Sequence, residues 1–573
     1  MSLLSKAQKA CSYCRRQKRR CDKQTPSCTT CQRAERHCEY ADDRQDDVHN
    51  MRSRLDDLER LLASQTSGNG HGRLSTASGI GQSAPGTPVT GPDATRASFP
   101  SAWFLDIDCF EKMEVGLPRP SMPASGSILE ELGSPEMWRN IINLHFSTTH
   151  IWLPIIWRRK MDTLLSNHNA QLPSSTALLL ASMKIVNKVP DEPQHPSQSR
   201  LYIVLKQELS AMENQGYISI GLLQAAILTT VYEMGHSIYP AAYLSIGRCV
   251  TIAHVMGLHD RNSAPQAISK PNFWSETEEL TRVWCAILVL DRQIRYINLG
   301  SRQRPLTSGD FAEDEILPCD TSSWDRGEPS ASIPLFLTSA TTLKTDAFAR
   351  TCQVAHLIGH IFRNRDDKAL TGPYRFTSAK QLLATLDSLL GLLASEAESN
   401  PVAFGSPYAM ALGCKMIFLD IYVCTETNGR TNSAEETELQ AIALDTYRDL
   451  MHEAERLAKR LFAIGNTEPL HMWSQGPFAG HCFYQGALTA AWYLNESGAE
   501  EMRGVLDTFL LALDQMNKRW RVAGKSNGVE IRQSLRFGWR VIADHRNVGQ
   551  YKNMVEMTER LSQQSLASDL MSA

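Results

Sequence analysis

The N-terminus of this 573-residue chain lacks the apolar core of a secretory leader, since Met1-Ser2-Leu3-Leu4-Ser5-Lys6 turns polar at once. Apolar runs of the ~18 residues needed to span a membrane are also missing. The longest, Met410 to Val423, is interrupted by Lys415 and Asp420. Catalytic signatures are absent too. There is no Gly-x-Ser-x-Gly elbow and no His-Glu-x-x-His pair. Gly524-Lys525-Ser526 resembles the end of a phosphate loop, but Arg519 stands where its first glycine is required. Alternating strand patterns are scarce. Together these absences predict a soluble, intracellular, all-α protein that is not an enzyme and has no membrane partner.

Chemistry is concentrated in one short stretch, Cys11-x2-Cys14-x6-Cys21-x6-Cys28-x2-Cys31-x6-Cys38, two copies of one unit. Six thiolates can give two zinc ions four ligands each only if two sulfurs are shared. Two Zn²⁺ and six thiolates leave a charge of about −2, set among Arg15, Arg16, Lys18, Arg19 and Arg20. A disulfide knot would need an oxidising compartment. Eight further cysteines, at 109, 249, 285, 319, 352, 414, 424 and 482, are scattered singly, as in a reduced protein. A purely structural zinc staple would account for the ligands but not for the bases. Besides the cysteines, the only apolar side chains between Cys11 and Cys38 are Tyr13, Pro26 and Ala34, so metal has to supply the folding energy.

The stretch resembles the fungal Zn2Cys6 binuclear-cluster transcription regulators. Cys11, Cys14, Cys21, Cys28, Cys31 and Cys38 fall at that family's six ligand positions, Lys18 at its base-contacting lysine and Pro26 at its loop proline, often cis. The resemblance implies two zinc ions per chain, with Cys11 and Cys28 bridging them. It also implies that a helix ending near Lys18 enters the major groove of double-stranded DNA and reads a CGG-like triplet. Gln17 departs from the family, which more often has Lys or Arg there. Arg15, Arg16, Gln17, Arg19 and Arg20 complete the expected DNA-contacting set. The same basic run suits a nuclear-import signal, so the expected location is the nucleus.

The net charge of −3 hides an asymmetry. Residues 1–40 carry ten Lys/Arg against three acids, and the remaining 533 residues hold −10. An acidic linker follows, in which Glu39, Asp42, Asp43, Asp46 and Asp47 face only Arg44. Val48, Met51, Leu55, Leu58 and Leu62 then repeat at 3, 4, 3 and 4, a short coiled-coil seam. Asp47 opposite Arg52 and Arg54 opposite Glu59 pair favourably in a parallel homodimer. Packing of this helix on its own chain is the competing use of the same stripe. Over 64–101, 23 of 38 residues are Ser, Gly, Thr or Pro, which predicts a disordered tether.

From about residue 128 helical periodicity takes over, as in Met502, Val505, Leu506, Phe509, Leu510, Leu513 and Met516, or Leu280, Val283, Trp284, Ile287, Leu288 and Ile294. Ile220 to Asp260 and Thr281 to Pro318 resemble the family's middle homology region, with Cys285 where a second aromatic is common. Asp291 and Arg295 are spaced for a helix-surface ion pair, and His254 and His259 read as ordinary packing.

The expected organisation is a DNA-binding module over 1–40, linker and dimerising coiled coil over 41–63, flexible linker over 64–127, and multi-helical regulatory domain over 128–573. The expected function is regulation of RNA polymerase II promoters as a homodimer, usually as an activator of a metabolic or secondary-metabolite gene set. Transcription machinery and a small-molecule effector are the further expected partners. The alternatives are a zinc-dependent RNA- or protein-binding scaffold and a small-molecule receptor.

Asp46 and Asp47 suit a helix N-terminus, but Asp42 and Asp43 have no such use. Their repulsion of phosphates predicts that replacing both by Asn tightens binding to any duplex, most at low salt, and leaves the preferred triplet unchanged. A salt titration comparing the two proteins checks this, and equal affinities throughout would remove the idea.

Overall fold

In the computed structural model, the described residues are 10–11, 13–14, 20–34, 38, 123–166, 172–189, 195–260, 271–297, 305–312, 314–329, 335–339, 343–367, 372–423, 433–467, 474–497 and 499–523. The chain divides into two units, Met1–Thr90 and Gly91–Ala573, each described by itself. The linker and seam over 41–63, with Val48, Met51, Leu55, Leu58 and Leu62, and the flexible linker up to residue 122 lie outside the described residues. Residues 123–127, expected to be linker, instead join the helical unit through the Ala124 amide bond to the Leu172 carbonyl and the Ser125 cap of the helix that starts at Gly126.

Among the described residues of the first unit, Thr29–Arg33 form a short helix, α1. Among the described residues of the second, sixteen α-helices occur: α2 (Gly126–Leu132), α3 (Pro135–Ser147), α4 (Thr149–Trp152), α5 (Arg158–Ser166), α6 (Ser174–Asn187), α7 (Arg200–Asn214), α8 (Ile220–Gly235), α9 (Ala241–Val255), α10 (Trp274–Ile297), α11 (Thr321–Arg326), α12 (Ala347–Asp366), α13 (Gly372–Ser399), α14 (Pro401–Val423), α15 (Ala434–Thr467), α16 (Phe478–Ser497) and α17 (Glu501–Asn517). Among the described residues, extended pairing is limited to isolated bridges such as Pro123 with Pro173 and Ile316 with Phe336. The fold is all-α, as the scarcity of alternating patterns led us to expect.

Local chemistry sets the helix ends. Ser125, Ser219, Asp320 and Asp346 accept hydrogen bonds from the first-turn amides of α2, α8, α11 and α12, supplying partners that helix geometry leaves missing. Gly327, at a left-handed φ of 67°, ends α11.

Two helices apolar on every side serve as axes, because only complete burial satisfies such a surface. Helix α8 packs against α6, α9 and α10, and Leu222 through Gly235 are all buried. Helix α14 packs against α12, α13, α15 and α16. By length and composition α14 could cross a membrane, but 83% of its most apolar stretch is buried inside this unit, which makes it a core helix. Along α17, Met502, Val505, Phe509, Leu513 and Met516 are buried, while Leu506 and Leu510 sit at the margin.

Charged residues inside the unit act as clamps. Asp291 and Arg295 do not form the local pair that their spacing predicts. Asp291 accepts from the Ser308 amide (2.7 Å) and hydroxyl (2.6 Å), and Arg295 reaches Asp366 from α12. The loop at 305–312 and helix α12 have taken over both partners. Arg292 holds the same loop through the Gly309 carbonyl at 3.0 Å.

Arg282, fully buried, stacks on Trp324 with 4.3 Å to the ring centroid. It donates to Glu278 (2.8 Å), the Cys319 carbonyl (2.6 Å) and Thr321 (2.9 Å). Burial works against its charge, and Glu278 with Asp346 more than offsets it, so the guanidinium is held above its ordinary range. His254 and His259 pack on each other and on Trp284.

Removing one member of a buried charged network leaves the rest without a counter-charge. Arg282→Ala should therefore lower the stability of the helical unit by about 3–5 kcal/mol. Arg282→Lys should recover only part of this, since an ammonium cannot reproduce the planar fork. Chemical denaturation followed by circular dichroism measures both; a loss below about 1 kcal/mol for the alanine variant contradicts the clamp.

Candidate metal centre

Among the described residues of the first unit, the buried core consists of sulfur. Cys11, Cys14, Cys28 and Cys31 are fully buried, with Tyr13, Cys21 and Cys38 packed beside them, whereas Pro26 and Ala34 are exposed. The six Sγ atoms form two groups of four, Cys11–Cys14–Cys21–Cys28 and Cys11–Cys28–Cys31–Cys38, with the atoms of each group all within 4.8 Å of one another. Cys11 and Cys28 belong to both.

Individual separations are 3.7 Å for Cys11–Cys28, 3.6 Å for Cys11–Cys31 and 3.7 Å for Cys14–Cys28. A disulfide would bring sulfurs to about 2.05 Å. Four thiolates arranged tetrahedrally at about 2.3 Å from one zinc stand about 3.7–3.8 Å apart, so the donor set fits that ion.

The repeat in sequence produces a repeat in geometry. The Cys14 amide donates to Cys11 Sγ (3.5 Å) and the Cys31 amide to Cys28 Sγ (3.4 Å), so each Cys-x2-Cys wraps its backbone around its first sulfur. The Cys28 amide donates to Cys38 Sγ at 3.2 Å. Burial pushes the Cys11, Cys14, Cys28 and Cys31 thiols up. At Cys21 burial acts the same way, but backbone donors prevail and bring the thiol down to about 7. Bare thiolates so crowded repel one another, and a bound cation inverts that balance.

The two copies are joined outside the sulfurs by residues that the spacing argument passed over. The Asp22 carboxylate accepts from the Thr29 amide at 3.1 Å and from the Thr29 hydroxyl, and the Thr30 hydroxyl donates to the Arg20 carbonyl at 3.0 Å. These contacts hold the start of α1, just after Cys28, against the segment around Cys21. The Thr29 hydroxyl is also the main reason the Asp22 carboxyl lies below its usual range. The only sequence signal was a polar residue directly after Cys21 and another directly after Cys28. Between them the Thr25–Pro26 peptide is cis and Lys23 is left-handed (φ 61°). Arg20 is exposed beside this bridge, whereas Arg15, Arg16, Gln17, Lys18 and Arg19 lie outside the described residues. Among the described residues, the cysteine tetrads are the groups of three or more potential metal ligands.

Comparison with known proteins agrees with this geometry. Residues 9–47 match the fungal Zn(2)-Cys(6) binuclear cluster domain, and residues 142–390 match the fungal specific transcription factor domain. The second match covers both stretches, 220–260 and 281–318, that resembled the middle homology region. Among similar proteins, transcription factor BOA15 of Botryotinia fuckeliana is 32% identical over 182 residues, which are 32% of this chain and 98% of that protein. Transcription factor tazR of Aspergillus terreus is 27% identical over 213 residues, 36% of this chain and 33% of its own length. Pigment biosynthesis transcriptional activator pigB of Monascus ruber is 26% identical over 197 residues, 33% of this chain and 34% of its own length. The matched segments thus span only about a third of the latter two proteins.

Because Cys11 and Cys28 stand in both tetrads, Cys11→Ser or Cys28→Ser should lower the zinc content of the folded chain at both sites together. Cys14→Ser or Cys38→Ser, each in one tetrad, should release one ion first. Metal analysis during stepwise chelation distinguishes the two patterns, and identical release from all four variants would contradict the sharing.

Proposed function

Because this chain belongs to the family of fungal transcription factors built on a Zn(2)-Cys(6) cluster, we propose that it binds CGG-like triplets in double-stranded DNA as a homodimer and regulates RNA polymerase II promoters in the nucleus. It is a transcription factor and not an enzyme. A Zn(2)-Cys(6) domain binds two zinc ions through six cysteines. In this chain we assign those ligands to Cys11, Cys14, Cys21, Cys28, Cys31 and Cys38, with Cys11 and Cys28 bridging. Zinc bound there supplies the folding energy, on the order of 10 kcal/mol or more per structural ion, that Tyr13, Pro26 and Ala34 cannot.

The observation that carries the reading is the pair of tetrads sharing two sulfurs, in a sequence that places five bases around Gln17 between Cys14 and Cys21. The cluster would set the direction of that run. Lys18 would reach base edges, while Arg15, Arg16, Gln17, Arg19 and Arg20 would meet phosphates and neighbouring edges. Counter-ion release by these cations makes the affinity steeply salt-dependent. Over 41–63, Val48, Met51, Leu55, Leu58 and Leu62 would pair two chains, and 64–127 would tether the reader at 1–40 to a regulatory domain at 128–573. The role of pigB in pigment biosynthesis favours a secondary-metabolite gene set for this chain too, under positive control. The helical unit is the part that would receive transcription machinery or a small-molecule effector.

Selection from random duplexes by the zinc-loaded chain should enrich a CGG-like triplet in pairs at one spacing. Lys18→Ala should cost about 1–3 kcal/mol on that triplet and flatten discrimination there, while Arg16→Ala weakens all sequences alike. Leu55→Asp should impair paired sites far more than single ones. If no motif is enriched, the reading fails in favour of a scaffold.

A further inference from the structure

The ends of α3, α6, α8 and α17 come together at Arg519 and Trp520, and several buried polar atoms there lack partners. Arg519, 3% exposed, lies over the Trp520 ring with 4.5 Å to its centroid. It donates to Asn187 Oδ1 (3.0 Å) and the Lys188 carbonyl (3.5 Å), while its Nε has no acceptor. Among the described residues no carboxylate pairs with it. Burial alone pushes the guanidinium down to about 10. The carbonyl ends of neighbouring helices offer partial charges of about one half, which stabilise a cation without cancelling it. A buried cation in that condition is costly unless something else completes it.

Three more side chains around Arg519 are in the same state. The His236 ring lies 5.8 Å from Trp520 and the Trp152 ring 6.4 Å from it. Asn187 Oδ1 also accepts from Thr148 (2.7 Å) and Thr149 (2.9 Å) at the end of α3, and Arg519 is near enough to His145 on that helix to act on its ring. Both nitrogens of His145, both of His236 and Nε1 of Trp152 are buried without a hydrogen-bond partner. Burial first, and then Arg519 among nearby cations, pushes both histidines down to about 3. Each is therefore a neutral ring with one N–H to give. The junction holds four donor groups and one uncancelled positive charge in an apolar, aromatic interior.

We propose that this junction binds a small monocarboxylate, whose single negative charge completes Arg519 and whose oxygens accept from Trp152, His145 and His236. One positive charge matches one carboxylate better than the double charge of a phosphate, and the flanking indoles suit an apolar or aromatic body. The proposal deepens the effector reading above and rests on it only for the use of the site.

The test is calorimetric titration of the full-length, zinc-loaded chain in chloride-free buffer with acetate and benzoate, and in parallel with acetamide and benzamide. Saturable binding of an acid but not of its amide is expected. Trp152→Phe, which removes one N–H and keeps an aromatic wall, should weaken it about ten-fold with the circular dichroism unchanged. Arg519→Gln should abolish it. Amides equal to acids, a Trp152→Phe variant binding like the parent, or no response to either acid (bound water only) would each overturn the site. If the acid binds and neither DNA affinity nor promoter output in a reporter strain responds, the site stands and its effector role falls.

Discussion

Four sulfurs occupy the place where a folded unit ordinarily keeps leucine and valine, and the DNA-facing end of this molecule depends on that substitution. Cys11, Cys14, Cys28 and Cys31 are packed at separations near 3.7 Å, close enough for thiolates to repel and too far for disulfides. Only cations placed among them turn that repulsion into cohesion. With two sulfurs common to both tetrads, the halves cannot fold separately. The Asp22–Thr29 and Arg20–Thr30 contacts close the same joint from outside. A core made this way needs almost no apolar sequence, which frees the adjoining positions for bases.

The helical unit solves the opposite problem. Helices α8 and α14 are apolar all round and are stable only when other helices cover them completely. The covering layers are joined by irregular segments, and buried arginines hold those segments down. Arg282 secures the segment around Cys319 and Thr321, and Arg292 the segment around Ser308 and Gly309. In each case an acid stands close by, Glu278 for the first and Asp310 for the second. Arg519 is built into the interior the same way but meets only neutral acceptors. That contrast with its two counterparts distinguishes its surroundings from ordinary packing.

Much of this was legible in the sequence wherever the determinant was local. Ligand spacing from Cys11 to Cys38 could be read because each Cys-x2-Cys wraps its own first sulfur, a matter of three residues. The helical character of 502–516 and 280–294 was equally plain, since periodicity records which side of a helix is covered.

Partners distant along the chain were not legible. Asp291 and Arg295 sit one turn apart, and nothing near them announces that Ser308 and Asp366 will take them instead. Asp22 carried no mark of its bond to Thr29 beyond its place directly after Cys21. Arg519 figured in the sequence only as the residue that spoils a phosphate loop, whereas packing sets it against Asn187, 332 positions earlier. The sequence by itself determined the spacing of the cysteine groups and the helices, because both follow from short-range patterns along the chain. Tertiary structure decided which buried charges are matched and which is left over, because that depends on helix ends that meet only after the apolar axes are covered.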